Sequence, residues 1–267
     1  MANDKKATEK AGDSIMETVK TVFWALIIAG IFRTLFFQPF WIPTGSMKDT
    51  LLIGDFLFVN KMAYGYSRHS CPFSLCPITG RILDSAPVRG DVVVFRHPVS
   101  NSDYVKRLIG LPGDRVQVKN GQLIVNDTPY PQEPAGVFVE TRAPQGSQGT
   151  TPLCSNGAAL GEVCEKQRMI ETDLNGRSYD TLNVGYAPNR RQDETKVYTV
   201  PEGHYFFMGD NRDNSTDSRV SQDLGGVGFV PEEALIGRVD RVIFSSAGRS
   251  LFYFWTWRGD RFFKAVN

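Results

Sequence analysis

The chain has 267 residues, enough for a membrane anchor followed by one or two domains. Its 30 basic and 29 acidic residues leave a formal charge of +1, which argues against nucleic acid as the main partner, because phosphate binding needs a basic surplus. With 41% hydrophobic residues the composition is that of an ordinary globular protein with one biased end.

That end is the N-terminus. Residues 1–19 are polar and of mixed charge and read as a tail. The segment 20–41 contains TVFWALIIAGIFRTLFFQPFW with Arg33 as the one charge inside that run, long enough to cross a bilayer if Arg33 snorkels to an interface. Phe36, Phe37, Phe40 and Trp41 then fall in the headgroup layer, where aromatic rings are favoured. A cleaved signal peptide and a buried helix are the competing readings. The long, acidic leading region and the lack of a small-x-small site after the run count against the first. Lys5, Lys6, Lys10 and Lys20 precede the span and few basic residues closely follow it, which places the N-terminus in the cytoplasm.

Beyond the anchor, period-two alternation and short apolar runs predict strands over 55–65, 91–98, 104–111, 115–127, 204–210 and 235–245. Asn120-Gly121 between two alternating runs predicts a hairpin. The expected fold is mostly β: antiparallel sheets or a partly closed barrel, built from residues 42–130 and 200–267. Residues 131–199, rich in Pro, Gly, Gln and Thr, read as an inserted subdomain. Near the C-terminus, Phe252, Tyr253, Phe254, Trp255, Trp257, Phe262 and Phe263 lie among basic residues. They read either as a terminal strand docked on the core or as a patch resting on a bilayer. The four cysteines fall into the local pairs Cys71/Cys76 and Cys154/Cys164, whose spacings match no zinc site. Short disulfides in an oxidising compartment fit them best, with free thiols in a reducing compartment as the alternative.

Three stretches bear on chemistry. Ser46, in PTGSMKDTLL, opens a turn or serves as a nucleophile; no His is near in sequence, so it needs another base. A Lys can act as that base if burial holds it neutral. Lys106 lies on a predicted strand next to Arg107, and the two point to opposite faces, one inward and the other toward solvent. GDNRDNSTDSR, residues 209–219, is dense in turn and hydrogen-bonding residues; it fails the calcium-loop pattern, and no metal or organic cofactor is expected.

Together IPTGSM, GDFLFVNKMAYG, RGDVVVFRHP, YVKRLIGLPGDRV and GDNRDNSTDSR, in this order after an apolar segment, resemble the type I signal peptidases of bacteria. The resemblance covers residues 20–130 and 200–245. It implies a membrane-anchored serine endopeptidase that removes signal peptides from exported preproteins after a small-x-small site, through an acyl-enzyme. It makes Ser46 the nucleophile and Lys106 the general base. The Ser46 backbone N–H and the Thr44 hydroxyl would hold the oxyanion. Ser215 would orient Lys106, with Asp217 and Arg212 bracing the site. By position, Phe40, Ile42, Met47, Leu51, Tyr104 and Val105 would wall the substrate pockets. The implied partners are preproteins, the bilayer and the translocation machinery. The implied state is a single-pass monomer of the cytoplasmic (inner) membrane with its catalytic part on the outer, periplasmic side. One departure stands out: Asp49 occupies a position where many members have Pro. Two other classes compete with this one. Self-cleaving repressors share the Ser-Lys chemistry but need a DNA-binding domain that residues 1–20 cannot supply. A non-catalytic scaffold would have no need of Ser46 or Lys106, and both are present.

Overall fold

The computed structural model describes residues 2–71, 74, 76–187, 190–248 and 253–266. One long helix, α1 (Ala2–Leu35), precedes fourteen strands among the described residues. Its stretch Met16–Leu35 is long and apolar enough to span a bilayer, and none of it is buried against the rest of the protein.

The helix ends earlier than the apolar run. Apolar composition predicts a span as far as Trp41, but the chain leaves the helix after Leu35 and forms strand β1 (Phe37–Trp41). Pro39 explains the change: it cannot donate within a helix, it biases Gln38 toward extended backbone, and it is tolerated on an edge strand. Tyr66 ties this junction to the body by donating its hydroxyl to the Leu35 carbonyl, at 2.6 Å.

The largest sheet is antiparallel and curled, in the order β1, β2 (Asp55–Asn60), β14 (Leu235–Ser245), β3 (Val92–Arg96), β4 (Asp103–Gly110), β12 (His204–Met208), β13 (Val230–Pro231). In β2 the buried and less buried positions alternate. Leu57 and Val59 therefore join the core, while Phe56 and Phe58 face outward. Trp41, Phe56, Phe244 and Trp257 make a continuous row of ring contacts along this outer face.

A second sheet has the order β11 (Tyr198–Thr199), β5 (Arg115–Lys119), β6 (Gln122–Val125), β7 (Thr128–Pro129). Asn120 and Gly121 join β5 to β6 with φ of 52° and 75°, as a tight primed turn requires. A third sheet, β10 (Ser178–Asn183), β9 (Val163–Thr172), β8 (Gln132–Thr141), is formed within the Pro- and Gly-rich stretch. Cys71–Cys76 and Cys154–Cys164 are disulfide-bonded.

The C-terminal stretch forms no strand of its own among the described residues. Short 3-10 turns at Phe254–Thr256 and Gly259–Arg261 lay it over β14, held by Arg261 on Asp55 (2.5 Å). Tyr253, Phe254, Trp255, Trp257 and Phe263 stay exposed; Phe252 lies outside the described residues.

Candidate active site

After β1 the chain makes one more strand-like pairing, with Ile42 and Gly54 hydrogen-bonded in the Gly54 N–H to Ile42 carbonyl sense at 3.0 Å. It then folds into a turn closed by Lys48 N–H on the Gly45 carbonyl (3.2 Å) and Leu51 N–H on the Met47 carbonyl (2.8 Å). No α-helix follows among the described residues, so Ser46 opens a turn without capping a helix. Met47 and Leu51, 2% and 0% exposed, anchor the turn in the core and leave the Ser46 side chain half-buried at the surface of a cleft of about 620 Å³.

The other side of the turn rests on the loop after β12. Asn211 donates its backbone N–H to the Ser46 carbonyl at 3.1 Å and its side-chain amide to the Gly45 carbonyl at 2.8 Å. Gly209 is there because nothing larger fits: a Cβ would lie 2.2 Å from Ser215 Oγ and 2.5 Å from the Ser46 carbonyl oxygen.

Strand β4 delivers Lys106 from across the cleft. Its Nζ is 2.5 Å from Ser46 Oγ, and the residue is 3% exposed. Burial lowers the Lys106 pKa from 10.5 to about 8, against the opposing pull of the Asp217 and Asp210 carboxylates and with a smaller lowering from Arg219. None of the three His residues lines the cleft among the described residues.

The expectation that one of Lys106 and Arg107 reaches solvent is corrected: Arg107 is 0% exposed. The β10 sheet covers that face, with the Tyr179 ring 3.9 Å from the Arg107 guanidinium. The guanidinium grips Asp210 through Nε and Nη2, both at 2.8 Å, and Thr50 donates its hydroxyl to the same carboxylate at 2.6 Å. This pair fastens β4 to the loop that carries Asn211. A buried Arg with a carboxylate partner far along the chain leaves no local spacing to detect in sequence.

Asp217 is fully buried and bound by Arg219 through Nε at 2.9 Å and Nη2 at 2.8 Å; it also accepts the Gly209 N–H at 3.1 Å. Burial raises the Asp217 carboxyl, but the Arg219 charge and these hydrogen bonds outweigh it, so the pKa falls below the usual value. Sequence reasoning missed Arg219, although it stands two residues from Asp217. Arg212 does not touch Lys106. It pairs with Glu171 of β9 through two contacts of 2.7 and 2.5 Å and so joins the 209–219 loop to the third sheet. The expected Ser215–Lys106 hydrogen bond is not formed; Lys106 is hydrogen-bonded to Ser46, and the buried Ser215 hydroxyl acts on Asp217, helping to lower its carboxyl.

Thr44, Phe40, Ile42, Met47, Tyr104 and Val105 all line the cleft. Leu51 does not; it lies beneath the turn in the core with Leu57 and Val59. Asp49 forms an ion pair with Arg168 of β9, and the Lys48–Asp49 peptide is cis.

A Ser hydroxyl against a buried amine, in a cleft with apolar and polar walls, is an arrangement that suits hydrolysis by a Ser nucleophile with an amine base. Residues 15–244 match the family model of the signal peptidases, peptidase S26. A signal peptidase I of Rickettsia typhi is 37% identical over 244 residues, covering 89% of this chain and 83% of that protein. One of Rickettsia prowazekii is 38% identical over 241 residues, covering 86% and 82%. A crystal structure of a signal peptidase I from Enterococcus faecalis V583 aligns with TM-score 0.29 and 23% identity, over 58% of this chain and 97% of that one. The chain belongs to the signal peptidase family S26. It is therefore a hydrolase of the serine protease type that removes signal peptides from preproteins, and its N-terminal apolar helix fits a single-pass anchor.

Proposed function

We propose that the chain cleaves exported preproteins after a small-x-small site with Ser46 as nucleophile and Lys106 as general base. The observation that carries this reading is the 2.5 Å approach of a buried, pKa-lowered Lys106 amine to Ser46 Oγ. Neutral Lys106 accepts the Ser46 proton as Oγ attacks the scissile carbonyl. The oxyanion is held by the Ser46 N–H and the Thr44 hydroxyl, donors of a kind worth about 2.7–4 kcal/mol each. Protonated Lys106 gives its proton to the leaving amine, and neutral again it activates the water that releases the acyl group. Arg107–Asp210, Asn211 and Asp217–Arg219 keep the Ser46 turn and Lys106 in register.

The substrate is read as an extended strand. The outer edge of β1 is unpaired, and residues 103–106 of β4 pair with β3 but not with β12 among the described residues. A peptide between these edges gains main-chain hydrogen bonds, and Ile42, Met47, Tyr104 and Val105 leave shallow apolar room for small side chains. Residues 16–35 anchor the chain in the cytoplasmic membrane with residues 1–15 inside, and the two disulfides belong to an oxidising outer side. The aromatic row from Trp41 to Trp257 rests at the bilayer surface, level with the emerging cleavage site. The protein works as a monomer, with no cofactor.

The test is cleavage in detergent or vesicles of a preprotein with an Ala-x-Ala site by wild type, Ser46→Ala and Lys106→Ala, with products identified by mass spectrometry. A single cut after the second Ala by wild type, and none by either variant, is expected. Normal cutting by Lys106→Ala would place the base elsewhere.

A further inference from the structure

The cleft has two kinds of wall. Apolar side chains from β1, the Ser46 turn and β4 make one part; the loop joining β8 to β9 makes another, lined by Gln145, Ser147, Gln148, Thr150 and Thr151. This loop is fixed against the nucleophile turn rather than loosely draped over it. Lys48, two residues after Ser46, is hydrogen-bonded to Gln145 at 2.6 Å and ion-paired with Glu140. Lys166 of β9 holds the other Glu140 oxygen at 2.7 Å. Ser147 donates its N–H to the Pro43 carbonyl at 3.2 Å, and Leu153 donates its own to Asn214 Oδ1 at 2.8 Å. Gly146, at φ +67°, lets the loop backbone come this close; a Cβ there would lie 2.0 Å from the Pro43 oxygen. The Cys154–Cys164 disulfide closes the base of the loop.

We infer that residues 145–152 receive the preprotein segment that follows the scissile bond and select polar, uncharged side chains there. The inference rests on the Ser46–Lys106 reading above. Small apolar residues before the cut match the β1 and β4 side, where Ile42, Tyr104 and Val105 stand. The acyl group stays on Ser46 with that half of the substrate, so the departing half lies on the other side of Ser46. There the loop bridges from Pro43 and Lys48 to Asn214 and offers amide and hydroxyl groups. Gln148 and Thr150 are exposed, line the cleft and have side chains uninvolved in holding the loop. They are free to hydrogen-bond to a substrate side chain, whereas an apolar residue there gains nothing and leaves the polar groups poorly solvated.

The test uses full-length protein and two preproteins with one Ala-x-Ala signal segment, one beginning its mature part with Gln-Thr and the other with Leu-Leu. Wild type is expected to show the higher kcat/KM on Gln-Thr. Gln148→Ala/Thr150→Ala is expected to lower kcat/KM on Gln-Thr by about fivefold for each hydrogen bond lost, and to leave Leu-Leu unchanged. Gln148→Asn/Thr150→Ser, which keeps the amide and hydroxyl, is expected to retain most of the preference. Equal loss on both substrates, or an unchanged ratio, would overturn the inference while leaving the Ser-Lys reading intact. If wild type cuts neither substrate after the second Ala, the parent reading fails and this one with it.

Discussion

Replacing Lys106 by Met is expected to abolish cleavage and yet stabilise the folded protein near neutral pH. Met keeps the unbranched length of Lys and fills the same buried space without a charge. The magnitude comes from the Lys106 pKa, which falls from 10.5 to about 8 on folding. Between those values the unfolded chain binds more protons than the folded one, so stability rises with pH across that window. The penalty is fully present below pH 8 and gone above 10.5. Linkage puts it at about 3 kcal/mol at pH 7 and under about 1 kcal/mol at pH 10. Lys106 is 3% exposed, so solvent screening takes little from this figure. Denaturant unfolding followed by tryptophan fluorescence in detergent, for wild type and Lys106→Met at both pH values, measures the difference. A gain at pH 7 that shrinks by about 2 kcal/mol at pH 10 is expected. A variant no more stable than wild type at pH 7, or a gain that ignores pH, would refute the claim that a buried amine is held there at the expense of stability.

Other positions give sharp expectations. Gly209→Ala would push a methyl group into Ser215 Oγ and the Ser46 carbonyl, and a shift of the nucleophile of that order costs about 100-fold in kcat, read by single-turnover cleavage. Asp210→Ala leaves the fully buried Arg107 guanidinium without its carboxylate and is expected to cost about 3–5 kcal/mol in urea unfolding. Removing the Cys154–Cys164 bridge by paired Ser substitutions opens a loop of sequence separation 10 and is expected to cost about 2–3 kcal/mol by the chain-entropy model, measured as a shift in the denaturation midpoint.

Much of this molecule is legible in its residues. Strands β2, β3, β4, β12 and β14 follow from alternation and short β-branched runs, and Asn120-Gly121 marks its hairpin because both residues accept positive φ. The end of the membrane segment is less legible: apolar composition runs on to Trp41, and Pro39 alone signals that the backbone has changed from helix to edge strand. The Ser46–Lys106 pairing could be proposed from residue types and motif order, but the contact depends on a curled sheet that brings residues 60 apart in sequence together. Arg107 departs from the expectation because strand alternation says which face a side chain takes, not whether a second sheet covers that face. Lys48, Glu140 and Lys166 carried no signal at all, since their cluster joins a turn to a segment about 90 residues away.

The dyad is tested most directly by the pH dependence of kcat/KM on a soluble preprotein fragment. The acid limb is expected to rise through about pH 8, the Lys106 value, as the amine loses its proton, and the activity to vanish in Lys106→Met. A limb near 6.5, the value of an unperturbed His, that survives in Lys106→Met would contradict the assignment of Lys106 as the base.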